Sequence, residues 1–248
     1  MSQKISLNPD LLNLIAGKHV QIVGPAPYLI GQKRGKEFDS IDVVVRLNEI
    51  IPLKHLREDY GSKTDILFCN FGTPWMPGIK RSIELEDRKD YFKKLKLVVA
   101  SAIKSDHSET NFLSWPDDYV SNVPRNFNSI NNYQLPFYWI GVKDYKKLYR
   151  DIGTEFNTGV AAIAMLMQYP IKKLSLAGFT FFVGGTTYKD LFHEGHMDNI
   201  DIKGRKFGLS GGHGLQSHLR QIEYFKTLFR RSGDTIIIDN KLKEILSL

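Results

Sequence analysis

The sequence predicts an α/β fold in which a mainly parallel sheet is flanked by helices. Short apolar runs recur along the chain, helical patterns separate several of them, and many of the runs end in small or polar turn residues. Alternation of this kind is typical of parallel sheets, whose ligands bind beyond the carboxyl ends of the strands. The same alternation predicts which segments are strands and which are helices.

Six strands are predicted from runs of about four to six residues that are rich in valine, isoleucine and leucine. Runs of this length, bounded by glycine or polar residues, are typical of strands buried on both faces. In chain order they are Val20–Val23, Val43–Leu47, Thr64–Phe68, Leu95–Ala100, Leu174–Ala177 and Thr235–Ile238.

Four helical patterns lie between these strands. Ile79–Lys96 is charged and amphipathic, and Val142–Tyr149 is short. Gly159–Gln168 is apolar all round, as expected of a helix that packs against a sheet. Leu215–Arg231 is predicted as an amphipathic helix ended by Ser232 and Gly233, with an apolar face formed by Leu215, Leu219, Ile222, Phe225 and Phe229.

The length and composition of the chain predict one domain. With 248 residues, 42% of them hydrophobic, residues 1–248 can bury a full core, and a small lid is expected within about residues 180–212. No apolar run is long enough for a bilayer span and the first residues lack an apolar signal core, so a cytoplasmic location is expected. The single cysteine, Cys69, is expected to be a buried thiol.

The formal net charge of +7 favours anionic partners. The lysines and arginines are dispersed rather than arranged in a tail or a basic-aromatic module, so no nucleic acid is expected as a partner. Peripheral contact with an anionic membrane stays open. The aromatic segments Trp115-Pro116 and Tyr133–Trp139 are consistent with an acceptor-binding or membrane-facing lid, and equally with a satellite of the core.

The turns after the strands are the candidate binding segments. We expect Gly24–Pro27, Asn48, Asn70–Gly72 and Gly178–Tyr188 to face one crevice. Gly24 allows the backbone to approach a ligand closely, but the chain lacks the GxGxxG fingerprint, and prolines 25 and 27 donate no amide hydrogen. A GxxxxGK[ST] phosphate loop is also missing. Ordinary NAD binding and nucleoside triphosphate hydrolysis therefore have little support.

The segment Asn157-Thr158-Gly159 opens the apolar helix. Asparagine or threonine at this position caps a helix, and the first amides of the helix can receive an anion at its positive end. Plain capping, with no ligand, is the structural alternative.

Two separated segments resemble the motifs of a known family. Val20–Asn48 contains GKEFDSIDVVVRLN and is similar to the large sialyl motif of eukaryotic-type sialyltransferases, and Tyr60–Thr64 continues the similarity with Gly-Ser-Lys-Thr. Asn157–Phe179 resembles the small sialyl motif, and it and the residues after it are also similar to compact bacterial lipooligosaccharide sialyltransferases. Pro25 replaces an asparagine of the eukaryotic-type turn, and the cysteines that bridge the two motifs there are absent, which fits a cytoplasmic enzyme.

The resemblance implies a Rossmann-like, variant GT-A type glycosyltransferase with a small lid. The implied reaction is metal-independent, inverting transfer of sialic acid from CMP-sialic acid to a hydroxyl of a glycan or glycolipid acceptor, with no cofactor. Another CMP-activated ulosonic acid, Kdo, is an alternative donor. A non-catalytic basic module that binds anionic glycan, lipid or nucleic acid is the alternative of another class.

The resemblance also suggests the catalytic residues. A general base must take the proton of the acceptor hydroxyl, and imidazole has a suitable pKa. His213 lies in a Ser-Gly-Gly-His-Gly loop, ten residues ahead of Glu223, as the catalytic histidine does in the bacterial family. His218, five residues ahead of Glu223, is the alternative base. The two tyrosines that the bacterial family uses correspond by spacing to Phe182 and Tyr188, so only Tyr188 keeps a hydroxyl for the leaving phosphate.

The remaining expectations concern CMP-sugar binding. Asn48 and Asn70 are assigned to the cytidine and ribose hydroxyls, and Thr158 and Gly159 to the phosphate. The other expected contacts are Gly24, Pro25, Ala26, Asn157, Gly178, Phe179 and Phe182. No metal is expected, because the chain has no Asp-x-Asp motif and the cluster His193, Glu194, His196 and Asp198 does not match HExxH.

Overall fold

The computed structural model describes residues 5–48, 54–72, 80, 89–104, 111–181 and 215–248. Seven strands of this part form one sheet in the order β5-β4-β3-β2-β1-β6-β7, and each neighbouring pair is parallel. The strands are β1 His19–Val23, β2 Val43–Leu47, β3 Ile66–Cys69, β4 Leu97–Ala100, β5 Phe137–Trp139, β6 Lys173–Ala177 and β7 Ile236–Ile238.

Helices flank this sheet. Within the described ranges they are α1 Pro9–Ile15, α2 Gly35–Asp39, α3 Arg57–Tyr60, α4 Lys89–Lys94, α5 Val123–Asn128, α6 Gly141–Ile152, α7 Thr158–Leu166, α8 Leu215–Ser232 and α9 Asn240–Leu246. Residues 159–166 of α7 are buried all round. Because no face of α7 needs to meet water, its sequence is apolar throughout, and the predicted helix sandwiched against the sheet is confirmed.

The predicted α/β fold with a parallel sheet is confirmed, and all six predicted strands are present. The seventh strand, β5, was not predicted, because its three residues are aromatic and show no alternation. Phe137 and Trp139 pack with Tyr133 against a core cluster that contains Phe71 and Phe127. The segment Tyr133–Trp139 therefore ends in an edge strand whose aromatic side chains complete the core on one face of the sheet.

The order of the strands determines where a ligand can bind. The chain proceeds outward from β1 through β2, β3 and β4 to β5, and then returns to place β6 on the other side of β1. The connections that follow β1 and β6 therefore diverge, which opens a crevice at the carboxyl ends of these two strands.

Polar residues of the first motif segment hold the backbone together. Arg46 on β2 is 1% exposed, and its guanidinium donates to the carbonyls of Tyr60 (2.8 Å) and Lys63 (3.2 Å) and to the hydroxyl of Thr64 (3.0 Å). Burial lowers the pKa of Arg46 to about 10. Arg46 thus joins β2 to the segment that leads into β3.

Asp39, at the end of α2, also binds the segment that leads into β3. Its carboxylate accepts hydrogen bonds from the amides of Ser62 (2.9 Å) and Lys63 (2.8 Å). A Cβ atom added to Gly35 would lie 2.1 Å from the carbonyl oxygen of Arg57, and one added to Gly61 would lie 2.4 Å from Oδ1 of Asp39. These glycines allow the two stretches of the motif to pack backbone against backbone.

Two further expectations concern burial and length. The side chain of Cys69, at the end of β3, is buried as expected. Among the helices of the described ranges, none has both the length and the apolar character needed to cross a bilayer.

Replacement of Arg46 by methionine should lower the free energy of unfolding by about 3 kcal/mol, because buried carbonyl groups would lose their hydrogen-bond donor. Urea unfolding followed by circular dichroism measures this change. Arg57→Met is the control, since Arg57 is exposed, and it should cost no more than about 0.5 kcal/mol. Equal stability of the two variants would contradict the structural role of Arg46.

Candidate functional site at the carboxyl edge of the sheet

The backbones of Gly24 and Gly178 are in close contact where β1 and β6 end. The amide of Gly24 donates to the carbonyl of Ala177 (2.8 Å), and the amide of Ala26 donates to the carbonyl of Gly178 (2.9 Å). A Cβ atom on Gly24 would lie 2.3 Å from the oxygen of Gly178, and one on Gly178 would lie 2.2 Å from the oxygen of Gly24. The turns of the two motif segments therefore meet only because both residues lack a side chain.

The turn after β1 contributes shape rather than hydrogen-bond donors. The amides of Gly24 and Ala26 are already bonded within the protein, and Pro25 and Pro27 have none. The carbonyl of Ala26 accepts from the hydroxyl of Tyr60 (2.8 Å). A ligand at this turn would meet its surface without receiving a hydrogen bond from its amides.

Tyr28 occupies the two amides that follow β6. Its hydroxyl accepts hydrogen bonds from the amides of Gly178 (2.8 Å) and Phe179 (3.3 Å), and it donates to Oδ2 of Asp239 (2.9 Å). Burial and the neighbouring Asp239 carboxylate raise the pKa of the Tyr28 phenol well above its usual range. The sequence contains no signal for this role, since Asp239 lies far along the chain, where it caps α9.

Asn48 connects three elements of the edge. It has a left-handed backbone (φ 53°) at the end of β2, and its amide donates to the carbonyl of Phe68 (2.6 Å). Its side-chain oxygen accepts from the amide of Asn70 (3.2 Å) after β3 and from the hydroxyl of Thr158 (3.2 Å) at the start of α7. Nδ2 of Asn48 makes no hydrogen bond to the described residues, so it is the group that Asn48 can offer to a ligand.

Asn70 is oriented in a similar way. Its side-chain oxygen accepts from the amide of Gly72 (2.9 Å), which turns its amide nitrogen away from that loop. The structure therefore brings Asn48, Asn70 and Thr158, three of the predicted site residues, together.

The start of α7 has the features of an anion site. Asn157 is the cap, and its side-chain oxygen accepts from the amide of Val160 (2.9 Å). The amides of Thr158 and Gly159 belong to the first turn and have no intrahelical acceptor, so they point outward at the positive end of the helix. A Cβ atom on Gly159 would lie 3.0 Å from the ring of Phe179, so Gly159 allows this buried ring to pack closely against the start of α7.

Helix α8 packs against the segment that leads into α7 through polar side chains. Leu219, predicted on its apolar face, is 47% exposed, whereas Ser217 and Gln221 are 6% and 1% exposed. This part of the predicted face was wrong because the residues before Asn157 offer backbone groups, not apolar side chains, to α8. Sequence analysis missed Ser217 and Gln221 for the same reason.

Several predicted site residues lie outside the described residues. They are His213, Tyr188 and Phe182, together with nearly all of the predicted lid and the cluster His193, Glu194, His196 and Asp198. The alternative base, His218, is half-buried on α8, and Glu223 on the same helix has a 68% exposed side chain that pairs with Lys226. Groups of three or more potential metal ligands are absent from the ranges that the structure describes.

The fold and the site define an α/β protein with a crevice at the switch point of its sheet, and a family model matches part of it. Residues 17–114 match the model of glycosyltransferase family 29 (sialyltransferase). This range contains the first motif segment, Val20–Asn48, whereas the second segment lies outside it. No curated protein matches the chain.

Solved structures of sialyltransferases share the fold. A mammalian sialyltransferase in complex with Gal-beta-1-3GalNAc-ortho-nitrophenol is 18% identical with a TM-score of 0.52, over 94% of this chain and 74% of that chain. The monofunctional alpha-2,3-sialyltransferase Cst-I from Campylobacter jejuni is 17% identical with a TM-score of 0.54, over 96% and 79%. A Cst-II variant in complex with CMP is 14% identical with a TM-score of 0.53, over 89% and 80%. These structures show the shared fold, and the family match confirms the resemblance to sialyltransferases for the first motif segment.

Replacement of Gly178 by alanine should lower the free energy of unfolding by about 3 kcal/mol or more, since the new Cβ atom would collide with the carbonyl of Gly24. Gly31→Ala is the matched control: Gly31 has nearly the same φ, 79° against 75°, but nothing lies within 4 Å of its Cβ position. It should cost only about 1 to 2 kcal/mol. If thermal unfolding shows that Gly31→Ala destabilises the protein more than Gly178→Ala does, the close contact between Gly24 and Gly178 is refuted.

Proposed function

We propose that the protein is a metal-independent, inverting sialyltransferase that moves sialic acid from CMP-sialic acid to a hydroxyl of a glycan. The observation that carries this proposal is the junction at Asn48, which brings the amide groups of two asparagines to the positive end of α7. A nucleoside monophosphate needs this combination of hydrogen bonds for its hydroxyls and a positive helix end for its phosphate. The family match and the shared fold support the same reaction class.

Different described residues bind different parts of the CMP-sugar. Nδ2 of Asn48 and of Asn70 bonds the cytidine and ribose hydroxyls, and the amides of Thr158 and Gly159 bond the phosphate. The hydroxyl of Thr158 already donates to Asn48 (3.2 Å), so Thr158 serves the phosphate through its backbone. The turn Gly24–Ala26 and the Phe179 ring give the crevice its shape.

The reaction is a single displacement. His213 takes the proton of the acceptor hydroxyl, and the hydroxyl oxygen attacks C2 of the sugar. The bond between C2 and the phosphate oxygen breaks, its electron pair passes to CMP, and the configuration at C2 inverts. Tyr188 donates a hydrogen bond to the departing phosphate, which the α7 amides also stabilise. His218 is the alternative base for the same step.

A metal ion is not needed for this leaving group. CMP departs as a monophosphate, whose developing charge two backbone amides and a hydroxyl can stabilise. Transfer should therefore proceed equally well with EDTA, and loss of transfer in EDTA would overturn the metal-free mechanism.

The proposed acceptor is a glycan or glycolipid that the enzyme meets in the cytoplasm beside an anionic membrane. Leu113, Tyr119 and Val120 are exposed in one short segment, where the ring of Trp115 packs on that of Tyr119 (centroids 4.6 Å apart). Exposed aliphatic and aromatic side chains of this kind suit an apolar or interfacial surface, and the net charge of +7 favours an anionic one.

Replacement of His213 by alanine should reduce sialyl transfer at least about a thousandfold, because the acceptor would lose its general base. CMP release from CMP-sialic acid with a panel of glycan acceptors measures the rate, and calorimetry should find CMP binding unchanged. His55→Ala, which alters an exposed histidine, is the control. Near-normal transfer by the His213 variant, with loss in His218→Ala, would reassign the base to His218.

The same assay decides between the alternatives for donor and class. Faster release from CMP-Kdo than from CMP-sialic acid would replace the proposed donor by Kdo. No release from either donor with any acceptor would favour a non-catalytic module that binds anionic ligands.

A further inference from the structure

Gln221 is a buried amide side chain in the middle of α8. It is 1% exposed, and its polar atoms all bond within the protein. Oε1 accepts from the amide of Asn157 (3.0 Å), and Nε2 lies within bonding distance of the carbonyl of Glu155 (3.3 Å) and of the carbonyl and hydroxyl of Ser217 (3.3 and 3.2 Å). A glutamine this well satisfied holds its neighbours in one geometry.

Two of those neighbours, Glu155 and Asn157, belong to the five residues that lead into α7. The hydroxyl of Ser217 donates to the carbonyl of Glu155 (2.9 Å) and bonds Thr154 (2.9 Å), and Arg220 donates to the carbonyl of Gly153 (2.6 Å). Backbone groups of Gly153, Glu155 and Asn157 are thus bonded to one face of α8. The packing is polar because irregular backbone that is shielded from water needs hydrogen-bond partners.

Asn157 connects the segment bonded to α8 with the start of α7. Its amide donates to Gln221, its side-chain oxygen accepts from Val160, and its carbonyl accepts from the amide of Ala161 (2.9 Å). With these groups engaged, the direction of the next two amides, those of Thr158 and Gly159, follows from the position of Gln221.

We propose that Gln221 is a positioning residue that aims the first amides of α7 at the CMP phosphate and ties them to α8. This inference rests on the function proposed above, which assigns those amides to the phosphate. Helix α8 begins two residues after His213, so one side chain links the helix that follows the base to the phosphate-binding end of α7.

The substitution Gln221→Glu separates positioning from packing. Glutamate keeps the acceptor for the Asn157 amide and nearly the same volume, but it removes the Nε2 donor and adds a negative charge beside the amides that receive the phosphate. CMP binding should weaken about tenfold near pH 8. A buried carboxyl is protonated at a higher pH than usual and can then donate again, so the defect should shrink towards about twofold near pH 5.5.

The experiment is calorimetric titration of the full chain with CMP across this pH range. Gln216→Glu is the matched control, because Gln216 is exposed on the same helix and the substitution adds the same charge. It should bind CMP as the unaltered protein does at every pH. Gln221→Met, which removes both polar atoms without adding charge, should weaken CMP binding equally at every pH. Thermal unfolding verifies that each variant is folded at the titration temperature.

The possible outcomes are distinguishable. If the unaltered protein binds CMP and folded Gln221→Glu binds it equally well near pH 8, the positioning role is overturned while the proposed function stands. A defect in Gln221→Glu that does not depend on pH would also overturn it, since the donor that protonation restores would then have no effect on CMP binding. Failure of the unaltered protein to bind CMP would overturn both the proposed function and the inference.

Discussion

The close contact between the backbones of Gly24 and Gly178 is the constraint on which the rest of the site depends. It lies at the carboxyl end of the parallel pair β1 and β6. Paired residues of these two strands lie about 150 residues apart in the chain. Ladder pairing aligns the two strands along their length, but only the absence of both side chains lets the following turns touch. The switch point of the sheet, and with it the crevice, is located by this contact.

Hydrogen bonding within the protein then determines which donors remain for a ligand. The turn after β1 has none to offer, and Tyr28 occupies the two amides after β6. The first amides of α7 and the side-chain amides of Asn48 and Asn70 are donors at this edge that have no acceptor among the described residues. The positive end of α7 lies beside the two asparagines. An anionic group at α7 and an uncharged hydroxyl-bearing group at the asparagines can therefore be bound next to each other.

The motif residues that carry the family resemblance serve the fold as much as the site. Arg46, Asp39, Gly35 and Gly61 hold β2 and the approach to β3 together, and each is bonded or packed within the protein. The matched range, residues 17–114, therefore indicates primarily that this backbone architecture is present. In the proposed mechanism, the chemistry is assigned to the second motif segment and to His213.

The sequence by itself determined the parallel α/β fold, six of the seven strands, the buried helix α7 and its asparagine cap. Strand runs, apolar helices and caps depend on neighbours within a few residues, so a local pattern is enough to specify them. Only the tertiary structure decided the pairing of β5, the bonding of Tyr28 to Asp239 and the buried polar face of α8. In each of these the partners lie far apart in the chain; Gln221 and Asn157, for example, are 64 residues apart. Such hydrogen bonds depend on where the folded backbone leaves a polar group to satisfy, which no local pattern records.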